Sequence, residues 1–148
     1  MLNKNAQAWV DALRSGDYEQ GRNSLHTVEA DYSRHCCLGV ACDLFAIAHP
    51  EVRGWEIISN VPNSFGVHRF FLDTERHTTV LPSKVCEWLG LTHIVNRSTL
   101  SSAVDNANVM YLQNSLPNNL VALNDGGSTF AEIADIIEAN QKELFNAE

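Results

Sequence analysis

Ala6, Trp9, Val10 and Leu13 recur at i, i+3, i+4 and i+7, the spacing that gathers apolar side chains on one face of a helix. Arg14 and Gly16 then supply the basic last turn and left-handed cap that end such a helix. Residues 17–21 read as a loop. Residues 24–28 and 32–36 follow as two short strands, with a turn at 29–31. The stretch CCLGVACDLFAIA at 36–48 is apolar nearly all round and carries one charge, Asp43. A helix over 37–48 with that pattern belongs at the centre of a domain, with other elements packed around it. Gly39 lowers its helix propensity and so points to a close backbone approach there. His49-Pro50 ends it, because proline pushes the preceding residue out of the helical region.

Residues 55–59 and 65–72 are rich in β-branched and aromatic residues and predict two strands. A third is expected at 78–81, with the turn at 73–76. Pro82 suits the first position of a short helix carrying Val85, Trp88 and Leu89, which Gly90 stops. Residues 96–124 hold seven asparagines and two charges, a composition that favours turns and caps. A weak helix over 98–107 and a strand over 109–112 are the elements expected within this long excursion. Residues 120–124 predict a helix that Asp125-Gly126-Gly127 terminates. Thr129 and Glu132 form a T-x-x-E capping box, and Phe130, Ile133, Ala134, Ile137 and Leu144 line one face of the last helix.

Together these elements predict an α+β fold. It is a single compact domain over 1–148, in which a near-central apolar helix and the N- and C-terminal helices pack on a small, mostly antiparallel sheet. The 148 residues suit one domain and bury enough surface to fold without metal or disulfide. Ten basic against eighteen acidic residues give a net charge of −8, which disfavours direct nucleic-acid binding. The N-terminus lacks the apolar stretch of a secretory signal, and the run at 36–48 is too short to span a bilayer, so no membrane role is expected. The expectation is a cytoplasmic protein whose four cysteines are reduced thiols.

Several blocks carry a resemblance. W-V-D-A-L-R-S-G at 9–16, Gln20-Gly21, C-C-L-G-V-A-C-D-L at 36–44, L-P-x-x-V-x-x-W-L-G at 81–90 and L-N-D-x-G-x-x-F-x-E-I-A-D-x-I-E at 123–138 together resemble an uncharacterised family of small phage and prophage proteins. The resemblance implies a phage-type accessory protein in the host cytoplasm and transfers no catalytic residue. In the family pattern the stretch between the last two blocks is shorter, so residues 92–119 read as an irregular elaboration. By analogy, such proteins counter host defence by sequestering a nucleotide signal or blocking a host protein.

Among residues able to carry chemistry, Cys37 lies where a helix begins, a position that can favour a thiolate, and His35 beside Cys36 could act as its base. Against this, reduced cysteines in apolar runs usually behave as small core hydrophobes. Zinc would need Cys86 or His93 to complete C-C-x4-C, which lacks paired knuckles, so no metal and no cofactor are expected. Asp43 requires a partner within its apolar helix, and Arg14 and Arg22 are the nearest by layout. Such a pair either docks two helices or floors a polar pocket. His68, Arg69 and Arg76, with Trp55, Phe65 and Phe70, could stack and pair with a flat nucleotide. Asn124 opens a polar turn before the last helix, where an anion could meet free N–H groups unless the capping box satisfies them.

These residues predict non-catalytic binding of a small anionic, nucleotide-like ligand through Arg14, Arg22, Asp43, His68, Arg69 and Asn124. The alternative is inhibition of a host protein by the acidic C-terminal surface, and the third reading is a cysteine-dependent enzyme. A homodimer interface could also supply the pocket.

Overall fold

In the computed structural model the described residues are 1–29, 32–61, 65–72, 75–77, 81–91 and 120–145. The first apolar stripe forms helix α1 (Lys4–Ser15), which buries Ala6, Trp9, Val10 and Leu13. Asn3 caps it by accepting from the Ala6 N–H at 2.9 Å, and donates its amide to the Leu89 carbonyl at 2.8 Å. At the other end Gly16 has φ 82°, a left-handed conformation in which a Cβ would be strained.

Six strands form one sheet among the described residues: β1 (Glu19–Gln20), β2 (His26–Glu29), β3 (Tyr32–His35), β4 (Gly54–Val61), β5 (Phe65–Leu72) and β6 (Glu75–His77). Their order is β1-β3-β2-β5-β4, with β6 also paired to β5. Only the β1–β3 pair is parallel.

The apolar run forms α2 (Cys37–Ala48), with Cys37 to Cys42 and Phe45 buried. This helix meets α1 on one side and strands β3 and β4 on the other. It also touches α3 (Ser83–Leu89) and α4 (Leu120–Asp125). The buried Trp9 indole donates to the Cys37 carbonyl at 2.9 Å, which pins α1 to the start of α2. Gly39 faces the backbone of Leu25: a Cβ there would overlap the Leu25 carbonyl oxygen and lie 2.7 Å from its carbon. That same oxygen accepts from the Cys36 N–H at 3.1 Å, so chain and helix meet with no room for a side chain.

The last helix is broken. Helix α5 (Phe130–Ala139) starts with the expected capping box between Thr129 and Glu132. It packs on α1 and stops at Asn140, and α6 (Gln141–Leu144) follows. Phe145 then bridges Leu91. The protein is thus a single compact α+β domain whose near-central apolar helix stands between the terminal helices and a small, mostly antiparallel sheet.

The structure corrects several expectations. The last helix does not continue to Leu144, because the Asn140 side chain bonds back to the Ile136 carbonyl at 2.8 Å and its backbone leaves helical geometry. Residues 19 and 20 form a strand rather than a loop, since Glu19 and Gln20 pair with Arg34 and His35. A strand of the meander lies at Glu75–His77, inside the turn expected at 73–76, since Leu72 pairs with Glu75; of the strand expected at 78–81, residues 78–80 lie outside the described residues. Pro82 is the N-cap of α3, one place earlier than expected. The expected helix 98–107, strand 109–112 and elaboration 92–119 lie outside the described residues, as do positions 30–31 and 78–80. No helix among the described residues is long and apolar enough to cross a membrane.

Candidate functional site

The C-terminal end of α2 borders an open concave surface. Phe45 and His49 lie four residues apart, one helical turn, and their rings stack at 4.1 Å with 21° between planes. Trp88, near the end of α3, meets them edge-on at 5.5 and 6.1 Å between centroids. Glu51, Val52, Arg53, Phe71, Lys84 and Glu87 complete an open cleft of about 710 Å³ around this aromatic floor. A hollow of about 440 Å³ continues past His49 and Trp88, over Leu44 and Ile47, to Lys4, Asn5 and Ala8 of α1. Both volumes fall within the range of small-molecule sites.

The polar groups of the cleft are unequally committed. The Arg53 guanidinium lies over the Phe71 ring at 4.3 Å and pairs with Glu56 at 3.0 Å. His49 holds Nδ1 2.9 Å from the Phe45 carbonyl. A carbonyl oxygen can only accept, so the neutral ring carries its proton on Nδ1 and leaves Nε2 as an acceptor. Glu51 and Glu87 are exposed.

A second polar cluster lies between α2 and the sheet. Asp43 accepts from the Tyr18 hydroxyl at 2.6 Å and from the Trp55 indole at 3.1 Å. Burial first, and the Asp43 hydrogen bond second, push the Tyr18 phenol above its ordinary range, so it remains a donor. Tyr18 and Trp55 flank His35 at 5.2 and 5.8 Å, and His35 stacks on His26 at 4.1 Å with 9° between rings. His26 Nε2 in turn lies 2.5 Å from the Ser33 hydroxyl. The sequence flagged Asp43 as needing a partner but gave no sign of the others, which are brought together by the β2–β3 register and by β4 packing on α2.

All four cysteines are buried free thiols. The Cys36 sulfur serves as the N-cap acceptor of α2, 3.4 Å from the Gly39 N–H. The Cys37 thiol lies 3.6 Å from the Leu120 carbonyl. Burial pushes Cys36 up to about 11 and raises Cys37 and Cys42 as well, so desolvation overcomes the helix terminus that sequence position offered. Two results follow. A thiol reagent at pH 8 should label the native protein far more slowly than the same protein in guanidinium, where all four react; fast native labelling would contradict this burial. Thiols raised on folding also favour the native state only while protonated. Their contribution is therefore complete below about pH 9 and lost as pH climbs towards about 11, roughly 2–3 kcal/mol from Cys36 alone. Urea midpoints across that window measure it.

The model of the family described as "Domain of unknown function (DUF8296)" matches residues 1–141. The chain belongs to this family. No curated relative and no solved structure matches it. The DUF8296 match takes in every residue of the cleft and of the Asp43 cluster, and the family description names no activity.

Within this DUF8296 chain Arg14, Asp43 and Asn124 are each engaged by partners other than those the sequence suggested. Asp43 is not partnered by Arg14 or Arg22: aromatic donors hold it, and Arg14 binds Asp135 at 2.6 Å and Glu138 at 2.5 Å on α5. Arg22 is exposed near the Gly127 turn. Asn124 is fully buried. It accepts from the Gln20 amide at 2.8 Å and the Cys37 N–H at 3.2 Å, and donates to the Gly21 carbonyl at 2.8 Å and Asp125 at 3.1 Å. No amide position remains for a ligand.

The turn before α5 is likewise satisfied, since the Phe130 N–H meets Gln20 at 3.2 Å and the Thr129 N–H meets Glu132 at 2.8 Å. Trp55 is no open stacking platform, because Phe70 and His26 each lie 4.8 Å from its ring. His68 pairs with His26 and Arg69 with Glu56 in the ladder, while the side chains of both, and of Phe65 and Arg76, lie outside the described residues. Among the described residues no group of three His, Cys, Asp or Glu is placed to hold a metal. Sequence reasoning passed over Phe45, His49, Arg53 and Trp88. The signal was the i, i+4 aromatic pair at a helix end followed at once by Pro50 and a charged turn.

Proposed function

We propose that this chain is a phage-type accessory protein of the host cytoplasm that acts by binding, without chemistry. The cleft at the end of α2 would sequester a small planar ligand with an anionic group, of the kind a host defence signal presents. The observation that carries the reading is the cleft itself: an aromatic floor of Phe45, His49 and Trp88 with Arg53 and Lys84 on its walls. Stacking of a base on such rings is worth about 1–3 kcal/mol, and a neighbouring cation orients an acidic group.

The alternative, blocking a host protein through the acidic last helix, has less support. Asp135 and Glu138 are engaged by Arg14, and Glu132 caps its own helix. The cysteine-enzyme reading is weakened by the buried, raised thiols.

A nucleotide panel in a thermal-shift assay tests the reading. A ligand at one hundred times its Kd adds about 2.7 kcal/mol, or about 5–10 °C for a chain of this size. Trp88→Ala should remove that shift, and the bound nucleotide should be recovered unchanged. Turnover of the nucleotide, or a shift that survives Trp88→Ala, would move the function elsewhere.

A further inference from the structure

The cleft offers free acceptors beside its two cations. Glu51 and Glu87 present exposed carboxylates that no hydrogen bond or ion pair among the described residues engages. His49, with Nδ1 committed to the Phe45 carbonyl, adds Nε2 as a third acceptor. The cations are partly committed: one Arg53 N–H goes to Glu56 while the guanidinium covers the Phe71 ring, and Lys84 has a contact within the fold. The lining charges cancel, two carboxylates against two cations, in a chain of net charge −8.

From this we infer that the cleft takes an aromatic zwitterion, a flat ring bearing an amine and a single acidic group, in preference to a polyanion. The inference rests on the binding role proposed above and narrows its ligand class. An amine supplies donors to Glu51, Glu87 and His49, which would otherwise lose water on binding and gain no partner. One acidic group matches what Arg53 and Lys84 have left to offer. A second or third negative charge meets the two carboxylates instead, and like charges brought together count against a wrong ligand. The ring stacks on one of Trp88 and His49 and meets the other edge-on, since their planes stand 77° apart.

Three indoles of one shape separate the terms: L-tryptophan carries both charges, indole-3-propionate only the acid, and tryptamine only the amine. Titration calorimetry on the full chain should show tryptophan binding at least tenfold more tightly than either. The double variant Glu51→Gln, Glu87→Gln alters two exposed positions and should fold normally by circular dichroism. It should weaken tryptophan at least tenfold while leaving indole-3-propionate as tight or tighter. Equal or better binding of indole-3-propionate or AMP, or an unchanged tryptophan affinity in the double variant, overturns the inference. If nucleotides shift the melting temperature and no indole binds, the zwitterion inference fails alone. If neither class binds, the binding role of the cleft fails with it.

Discussion

Gly39→Ala should leave little or no soluble folded protein. By helix propensity alone the change favours α2 by about 1 kcal/mol. Sterics decide the other way, because the new Cβ would overlap the Leu25 carbonyl oxygen and press its carbon at 2.7 Å. The atoms in the way are backbone, and the oxygen is fixed by the Cys36 N–H, so no side chain can rotate aside. We expect a loss above about 4 kcal/mol, a large part of the 5–15 kcal/mol that holds a domain together. Gly16→Ala is the control. Its Cβ would meet nothing within 4 Å, so only the left-handed backbone is strained, by about 1–2 kcal/mol. Soluble yield and urea midpoints compare the two, and a Gly39→Ala protein as stable as Gly16→Ala would refute the close approach.

Asn124→Leu should rank second, at roughly 3–5 kcal/mol. Leucine keeps the branched shape though it is bulkier, and the Cys37 N–H, the Gly21 carbonyl and the Gln20 amide each lose a partner inside the protein. Unmet buried groups carry the desolvation penalty with no return. A melting temperature lower by about 10 °C or more is the expected readout. A loss near 1 kcal/mol would mean that water enters and replaces the amide.

Helices α1, α2 and α5 were legible from periodicity because each is amphipathic or wholly apolar, whereas the break before α6 was not. Local chemistry also marked their ends, through Gly16, the Thr129–Glu132 box and Pro50. Gly39 was legible as a close approach, though not what it approaches. Strand β1 was not, since two polar residues paired in parallel with β3 have no pattern of their own. Asp43 announced that it needed a partner, but the two donors come from a tyrosine after α1 and a tryptophan on β4, and charge logic pointed to arginines instead. Asn124 was read as opening a polar turn that an anion could enter, whereas it is buried against Gln20 and Gly21 a hundred positions earlier. The cleft depends on the mutual placement of α2, α3 and β5, which no local pattern encodes.

The embrace of α1 by α5, and of Gln20 and Gly21 by Asn124, has a temporal consequence. The apolar stripe of α1 gains part of its cover only from residues some 120 positions later. At about 5–20 residues per second, a ribosome takes roughly 6–25 s to deliver them. During that interval Trp9, Val10 and Leu13 lack part of their native cover and the N-terminal half cannot close. Full cover of α1 therefore waits for α5, so a nascent chain halted before α5 should be a client for chaperones and an easy substrate for proteases.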